Sequence, residues 1–299
     1  MKVNVDFVRR LVESKDPVTV VADKMLSIWL GRTGEVTSDF YYKGESEAVA
    51  FEEFILHSFD EFFMMLARKC VEVSPRLGED EDTSFVVMDG MSFREGVLIY
   101  DLLKNDGYNV KISCGFSSIP SDTQAFREKL NMSSNDFREV TDPRNVRISG
   151  DEQFVWSYFP DIMLDKIQVG HAVLSSLEKM YEDTAKIVKA LVNKLKANKI
   201  VFLSDHGYIR SEAGFVFSVS SKAKRRLQEV FGNKRFVPMD DTDLSDLVRD
   251  GYVIEFSGYY MAKSRYVWPV KGRFSIYLHG GLSLMECLTP IIEVMKGES

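Results

Sequence analysis

Cysteine is scarce here, and its pattern excludes one class at once. The three cysteines, Cys70, Cys114 and Cys287, lie far apart, are odd in number and form no C-x-x-C pair. A disulfide framework is therefore not expected, and a reducing compartment is. Cys114 and Cys287 stand in mostly apolar surroundings and read as small core residues. No stretch reaches the roughly 20 apolar residues that cross a bilayer. Met1 to Arg10 mixes charged with apolar residues and has no long apolar run of the secretory kind. The expectation is a cytoplasmic protein without a membrane partner. Positive charge is also short: 38 Lys and Arg stand against 45 Asp and Glu, a formal net charge of −7. Non-specific nucleic-acid binding rests on the opposite balance. Internal repeats and low-complexity tracts are missing too.

What is present is a globular composition. Hydrophobic residues make up 45% of 299, enough for one large domain or a medium domain with an appendage. Residues 1 to about 74 read as helical. One apolar stripe runs through Val3, Phe7, Val8 and Leu11, and a stronger one through Ala48, Phe51, Phe54, Ile55, Phe59, Phe62, Phe63 and Leu66. His57 falls on the second stripe and reads as an ordinary helix histidine. The stretch from Ser74 to Asp82 breaks the helix and ends in four consecutive acids, a linker signal.

After the linker the pattern changes. Short apolar runs at Phe85–Met88, Val110–Phe116, Phe154–Phe159, Ile200–Leu203 and Phe274–Leu278 predict strands. Helices are predicted from Ser92 to Leu103, from Asp122, and from Ala172 to Ala197. Alternation of this kind predicts an α/β sheet with helices on both faces. Between Gly207 and Trp268, strands are predicted over Phe215–Val219 and Tyr252–Met261. A basic helix over Ser221–Phe231 carries Lys222, Lys224, Arg225 and Arg226, which would either orient an anion or only face solvent.

The four histidines are nearly as few as the cysteines, and three stand at predicted strand ends beside acids or glycines. They are Ser204-Asp205-His206-Gly207, His279-Gly280-Gly281, and Gly170-His171 with Asp165 six residues before. Asp89 ends a further apolar run. In α/β sheets, ligands gather outside the carboxyl ends of strands, so these residues can meet although far apart in sequence. Carboxylate and imidazole together suit a divalent metal. Each stretch also has a plainer reading. Asp205 reads as a turn cap, and Ser283 with Glu286 as a capping box. Asp161 and Asp165 read as acids flanking a helix start. Ser121 and Gln124 have capping-box spacing as well, with the Thr123 hydroxyl in the first turn, where amide N–H groups favour a phosphate.

Four stretches in order resemble the PglZ-domain family of the alkaline phosphatase superfamily. They are Val86-Val87-Met88-Asp89-Gly90, Ile119-Pro120-Ser121-Asp122-Thr123, Phe202-Leu203-Ser204-Asp205-His206-Gly207 and His279-Gly280-Gly281-Leu282-Ser283. The resemblance covers about residues 83 to 299. It implies a mostly parallel central sheet, to which the N-terminal helical segment is an addition. The division expected is a helical region with its acidic linker over 1–80 and a PglZ-like domain over 81–299, with 208–268 as a cap insertion. The resemblance also implies two divalent ions, zinc or alternatively manganese. One would be held by Asp89, Thr123, Asp205 and His206. The other would be held by His279 with ligands from the Asp161–His171 segment. There the family spacing of four residues from aspartate to histidine is not kept, and Asp165 with His171 is preferred over Asp161. Thr123 would be the nucleophile of a metal-dependent phosphohydrolase, a phosphodiesterase rather than a monoesterase. Its substrate would be a phosphate ester, nucleotides and nucleic acid included. Two alternatives stand beside this. One is a non-catalytic binding or regulatory module with a degraded metal site, its N-terminal helices docking a partner protein. The other is an isomerase that moves phosphate within one molecule under a closed cap.

Overall fold

Four helices lead the chain in the computed structural model, which describes residues 5–75, 77–78, 80–168, 175–240, 242–270 and 275–296. They are α1 (Val5–Glu13), α2 (Pro17–Leu30), α3 (Thr37–Ser58) and α4 (Phe62–Glu72). Asp16 caps α2, and Pro17 occupies its first turn, where no amide hydrogen bond is lost. The long aromatic stripe is shared by α3 and α4, which part at Phe59–Glu61. Next come β1 (Thr83–Met88), α5 (Phe93–Asn105), β2 (Asn109–Phe116), α6 (Thr123–Leu130), β3 (Arg138–Val140) and β4 (Phe154–Ser157). They are followed by α7 (Asp161–Gln168), α8 (Ser175–Lys194) and β5 (Lys199–Ser204). A segment of short elements comes next: β6 (Ile209–Arg210), β7 (Phe217–Ser218), α9 (Ser221–Phe231), β8 (Phe236–Pro238), α10 (Ser245–Arg249), β9 (Val253–Phe256), β10 (Tyr259–Ala262), β11 (Tyr266–Val267) and β12 (Tyr277–Leu278). The chain then makes the single turn α11 (Leu284–Cys287) and enters β13 (Leu288–Met295).

Six strands form the central sheet in the order β2-β13-β5-β1-β4-β3. β1 runs parallel to β4 and β5, and β3 parallel to β4, while β13 is antiparallel to both β5 and β2. The sheet is thus mostly parallel, as expected. β1 lies in its middle and is buried along its whole length, which is why its apolar residues run on without alternation. On one face Val86, Met88, Ile200 and Phe202 pack with Ile99 and Leu103 of α5 and Ile187, Val188 and Leu191 of α8. On the other, Phe85, Val87, Val201 and Leu203 meet Phe126 of α6, Phe137 and Trp156.

Several elements differ from the sequence expectation. β13 and β3 are additional strands, and α7 is a helix where only a loose acidic segment was expected. Of the expected strand Phe274–Leu278, Tyr277–Leu278 is β12, and it pairs antiparallel with β6 outside the central sheet; Phe274 lies outside the described residues. The place in the central sheet belongs to β13, interior despite Pro290. The glycine at Gly96 of α5 lets that helix lie against the proline, since a Cβ there would come within 2.5 Å of the Pro290 ring.

The N-terminal helices share a core with the α/β part: Phe40, Phe51 and Phe63 cluster with Phe93, Phe116, Met285 and Leu288. A buried ionic network crosses the same boundary. Glu45 of α3 pairs with Arg94 of α5 and with Arg265, and Glu52 of α3 pairs with Arg265. Residues α9 to β10 carry a small core of their own around Leu227, Leu247 and Tyr260.

Candidate functional site

The carboxyl edge of the parallel strands brings the chemistry-bearing side chains together. Asp89 follows β1, Asp205 and His206 follow β5, Thr123 opens α6, and Asp161 opens α7 just beyond β4. His279 follows β12 and leads into the glycines before α11. The Asp89 amide donates to Ser157 O at 2.8 Å, and the Asp161 amide to Asp89 O at 3.1 Å. Gly90 completes the turn at φ 68°, and a Cβ there would lie 3.1 Å from that of Asp161. Only glycine takes this conformation cheaply while admitting so close a neighbour.

Thr123 is the centre of the arrangement. Its hydroxyl donates to Asp205 Oδ2 at 2.6 Å, stands 3.3 Å from Asp89 Oδ1, and is 3.4 Å from His206 Nε2. His206 Nε2 lies 3.8 Å from Asp89 Oδ1 and 3.7 Å from Asp205 Oδ2. Asp205 Oδ1 faces away from the threonine and accepts the amides of Gly90 and His206, both at 2.9 Å. Trp156 Nε1 donates to Asp89 Oδ2 at 3.1 Å. Each carboxylate thus has one oxygen anchored by the protein and one turned to the common space.

Neighbouring residues on a regular strand face opposite ways, yet Asp205 and His206 both point inward. Gly207 explains this, though not through a left-handed bend. It lies so near α11 that a Cβ would come 2.1 Å from Met285 O. The strand leaves the sheet there, held by Gly207 N to Glu286 O at 2.9 Å. His206 Nδ1 lies 2.9 Å from Gly207 O, which leaves Nε2 as the nitrogen facing the carboxylates.

His279 stacks on His206, with ring centroids 4.1 Å apart and planes 12° from parallel. Its loop is held from two sides. Ser121 Oγ donates to Gly281 O at 2.7 Å and accepts Gly280 N at 3.1 Å. Glu286 accepts Gly281 N at 2.8 Å and Ser283 N at 3.2 Å, and pairs with the buried Arg235. Ser283 and Glu286 form the expected capping box. Ser121 does not cap α6: that cap is Asp122, whose side chain accepts Gln124 N, and Ser121 ties the His279 loop to the start of that helix instead.

Among the described residues, two groups each have ligand atoms within 4.8 Å of one another: Asp89, Asp205 and His206, and Asp161, His206 and His279. Burial, and then the charges of Asp205 and Asp161, push the Asp89 carboxyl well above its ordinary range. Burial disfavours the charged His206 ring, but Asp205, Asp161 and Asp89 outweigh it and lift the group to about 9. Burial and then His206 lower His279.

The structure therefore gathers Asp89, Thr123, Asp205, His206 and His279. Asp161, weighed in the sequence but not preferred, lies with His206 and His279. Asp165 lies one turn on in α7, and His171 lies outside the described residues. His57 is exposed on α3, apart from the site. Trp156 and Arg235 had no sequence signal, since a strand tryptophan and a lone arginine become site-supporting only through contacts across the fold.

A family model described as the BREX system PglZ alkaline phosphatase-like domain matches residues 124–294. The match begins one residue after Thr123, so Asp89 and Thr123 join the site by geometry. The alkaline phosphatase-like protein PglZ of Bacillus cereus (strain H3081.97) is 25% identical over 181 residues, which are 58% of this chain and 20% of that protein. The chain thus spans about a fifth of that relative's length. Two structures of phosphonoacetate hydrolase from Sinorhizobium meliloti 1021 are also similar. With phosphonoformate bound, the match has 14% identity and a TM-score of 0.29, covering 48% of this chain and 45% of that one. With phosphonoacetate bound, it has 11% identity and a TM-score of 0.26, covering 70% and 65%. Scores this low say nothing about the site. The family match spans more than half of the sequence, and the chain belongs to the PglZ family of alkaline phosphatase-like domains.

Proposed function

We propose that this chain is a metal-dependent phosphohydrolase that cleaves phosphodiesters, with Thr123 as nucleophile and two divalent ions. The observation that carries the proposal is the Thr123 hydroxyl: at the start of α6, bonded to Asp205 at 2.6 Å, with Asp89 and His206 beside it. Three carboxylates and two imidazoles crowd a largely buried site, where burial and then the charges of Asp205 and Asp161 push the Asp89 carboxyl up; a bound cation would offset that repulsion. Carboxylate oxygen and imidazole nitrogen fit zinc, and manganese too. Asp89, Thr123, Asp205 and His206 would hold one ion. Asp161 and His279 would hold the other, with any further ligand from the segment between Asp161 and His171. His206 belongs to both ligand sets, so the two positions adjoin, but its free Nε2 serves one ion at a time. When bound, such ions neutralise phosphoryl charge and lower the pKa of a coordinated hydroxyl.

The chain's own residues do the rest. As the Thr123 oxygen attacks phosphorus, its proton passes to Asp205 Oδ2 and the bond from phosphorus to the leaving oxygen breaks, that oxygen departing as an alcohol once it takes up a proton. Water then attacks the phosphothreonine, breaks its bond to Thr123 and returns the hydroxyl. The first turn of α6 directs its amides and positive dipole end toward the phosphoryl oxygens. Trp156 and the two amides on Asp205 keep the carboxylates aimed. Hydrolysis of bis(4-nitrophenyl) phosphate and 4-nitrophenyl phosphate with zinc and manganese tests the reading, with the diester expected to be the better substrate. Thr123→Ala should abolish turnover while bound metal stays near the wild-type amount. Undiminished turnover would remove Thr123 from the mechanism.

A further inference from the structure

An open groove of ≈ 910 Å³ runs along α6 and has both Thr123 and Arg127 in its wall. Four residues apart on a helix, the two share one face, separated by about 6 Å along the axis. The Arg127 guanidinium lies over the Trp156 ring, 4.3 Å from its centre, an arrangement that fixes a flat cation in place. Among the described residues it forms no ion pair, and its buried Nε has no hydrogen-bond partner. Its polar neighbour is the Tyr158 hydroxyl, which meets the guanidinium and donates its own proton to Glu139 at 2.6 Å.

Acids are close by, which makes an arginine with no carboxylate partner among the described residues the more informative. Asp122 accepts Gln124 N, Glu128 accepts Gln124 Nε2, and Asp136 accepts the amide and hydroxyl of Ser133. Each carboxylate of the groove is thus engaged within its own turn. A buried donor left without an acceptor costs about 1–3 kcal/mol, and the fold holds this one a helical turn from the nucleophile.

We infer that Arg127 receives a second anionic group of the substrate, so that the preferred phosphodiester carries another phosphate close to the scissile one, as nucleotides and nucleic-acid strands do. The inference rests on the phosphohydrolase reading of Thr123. It makes Arg127 a specificity residue, whereas a purely structural arginine would act through Trp156 on Asp89.

Calorimetry on the zinc- or manganese-loaded protein separates these roles without turnover. The ligands are thymidine 5′-monophosphate and thymidine 3′,5′-bisphosphate, which differ by one phosphate. Wild type should favour the bisphosphate by about tenfold to a hundredfold, the range of one charge-assisted contact. Arg127→Gln should reduce that preference to about threefold or less and leave the monophosphate affinity nearly unchanged. Arg127→Lys keeps the charge without the planar fork and should restore part of the preference. It also provides a folded comparison should the glutamine variant lose its structure. An equal loss for both ligands would overturn the inference in favour of a structural role, as would a preference that survives in both variants. A wild type that binds the monophosphate but shows no preference would refute the inference alone. A loaded wild type that binds neither ligand would refute the phosphohydrolase reading, and the inference with it.

Discussion

Gly207→Ala perturbs the site through the backbone alone. The added methyl would lie 2.1 Å from Met285 O, where ordinary contact begins at 3.4 Å. The methyl is fixed directly to the Cα and Met285 O belongs to the main chain, so no side-chain rotation relieves the clash, and the strand end must retreat by about 1 Å from α11. Overpacking of this kind costs about 1–3 kcal/mol. Losing the 2.9 Å bond from Gly207 N to Glu286 O adds about 1 kcal/mol. At about 2–4 °C per kcal/mol in a chain of this size, the melting temperature should fall by roughly 10 °C. Function should suffer more, because His206 hangs from Gly207 O and moves with it. A displacement of about 1 Å in a catalytic constellation costs on the order of a hundredfold. Thermal unfolding by circular dichroism, bound-metal analysis and kcat/KM on bis(4-nitrophenyl) phosphate read the three effects. A variant that melts within about 2 °C of wild type and keeps its metal and activity would show that Gly207 does not set the path of the strand end.

Other substitutions test separate parts of the molecule. Asp161→Asn should lower bound metal from two ions toward one, because the Asp161 carboxylate lies with His206 and His279; Asp165→Asn should leave two, and the reverse pattern in elemental analysis would assign the ligand to Asp165. Glu45→Gln should destabilise the fold by about 3–5 kcal/mol in denaturant titrations, since it leaves Arg94 and Arg265 under-compensated in a buried site. Glu52→Gln should cost less: burial raises the Glu52 carboxyl despite Arg265, so its charge is held less favourably. For Glu45, burial opposes the charge, but Arg94 and Arg265 outweigh it and hold the carboxyl below its ordinary range. Its contribution is therefore complete above about pH 4.3 and drains away as the pH falls through the folded value. Acid titration of stability should be shallower in Glu45→Gln than in wild type, and equal slopes would remove Glu45 as a source of acid sensitivity.

Legibility varied with the range of the interactions involved. β1 and β5 could be read as buried strands because parallel strands covered on both faces are apolar throughout. The helix at Ser221–Phe231 was readable from its own periodicity. β13 was hidden because a proline argues against an interior strand, and only Gly96 on the helix above makes room for it. Ser121 has the spacing of a cap, but Asp122 took that role, and the Ser121 hydroxyl went to a loop some 160 residues away. Capping-box spacing is a local rule, and a distant partner can displace it.

The amino-acid order alone determined the α/β class, the helical lead segment and the inventory of carboxylates and imidazoles at strand ends. These follow from short-range periodicity and from turn chemistry, both carried by neighbouring residues. That Asp161 lies near the histidines, why Asp205 and His206 both turn inward, and that an arginine lying over Trp156 flanks Thr123 were decided by the tertiary structure. Each depends on atoms from distant segments meeting within a few ångströms, and close approach between remote parts of a chain leaves no periodic trace in its sequence.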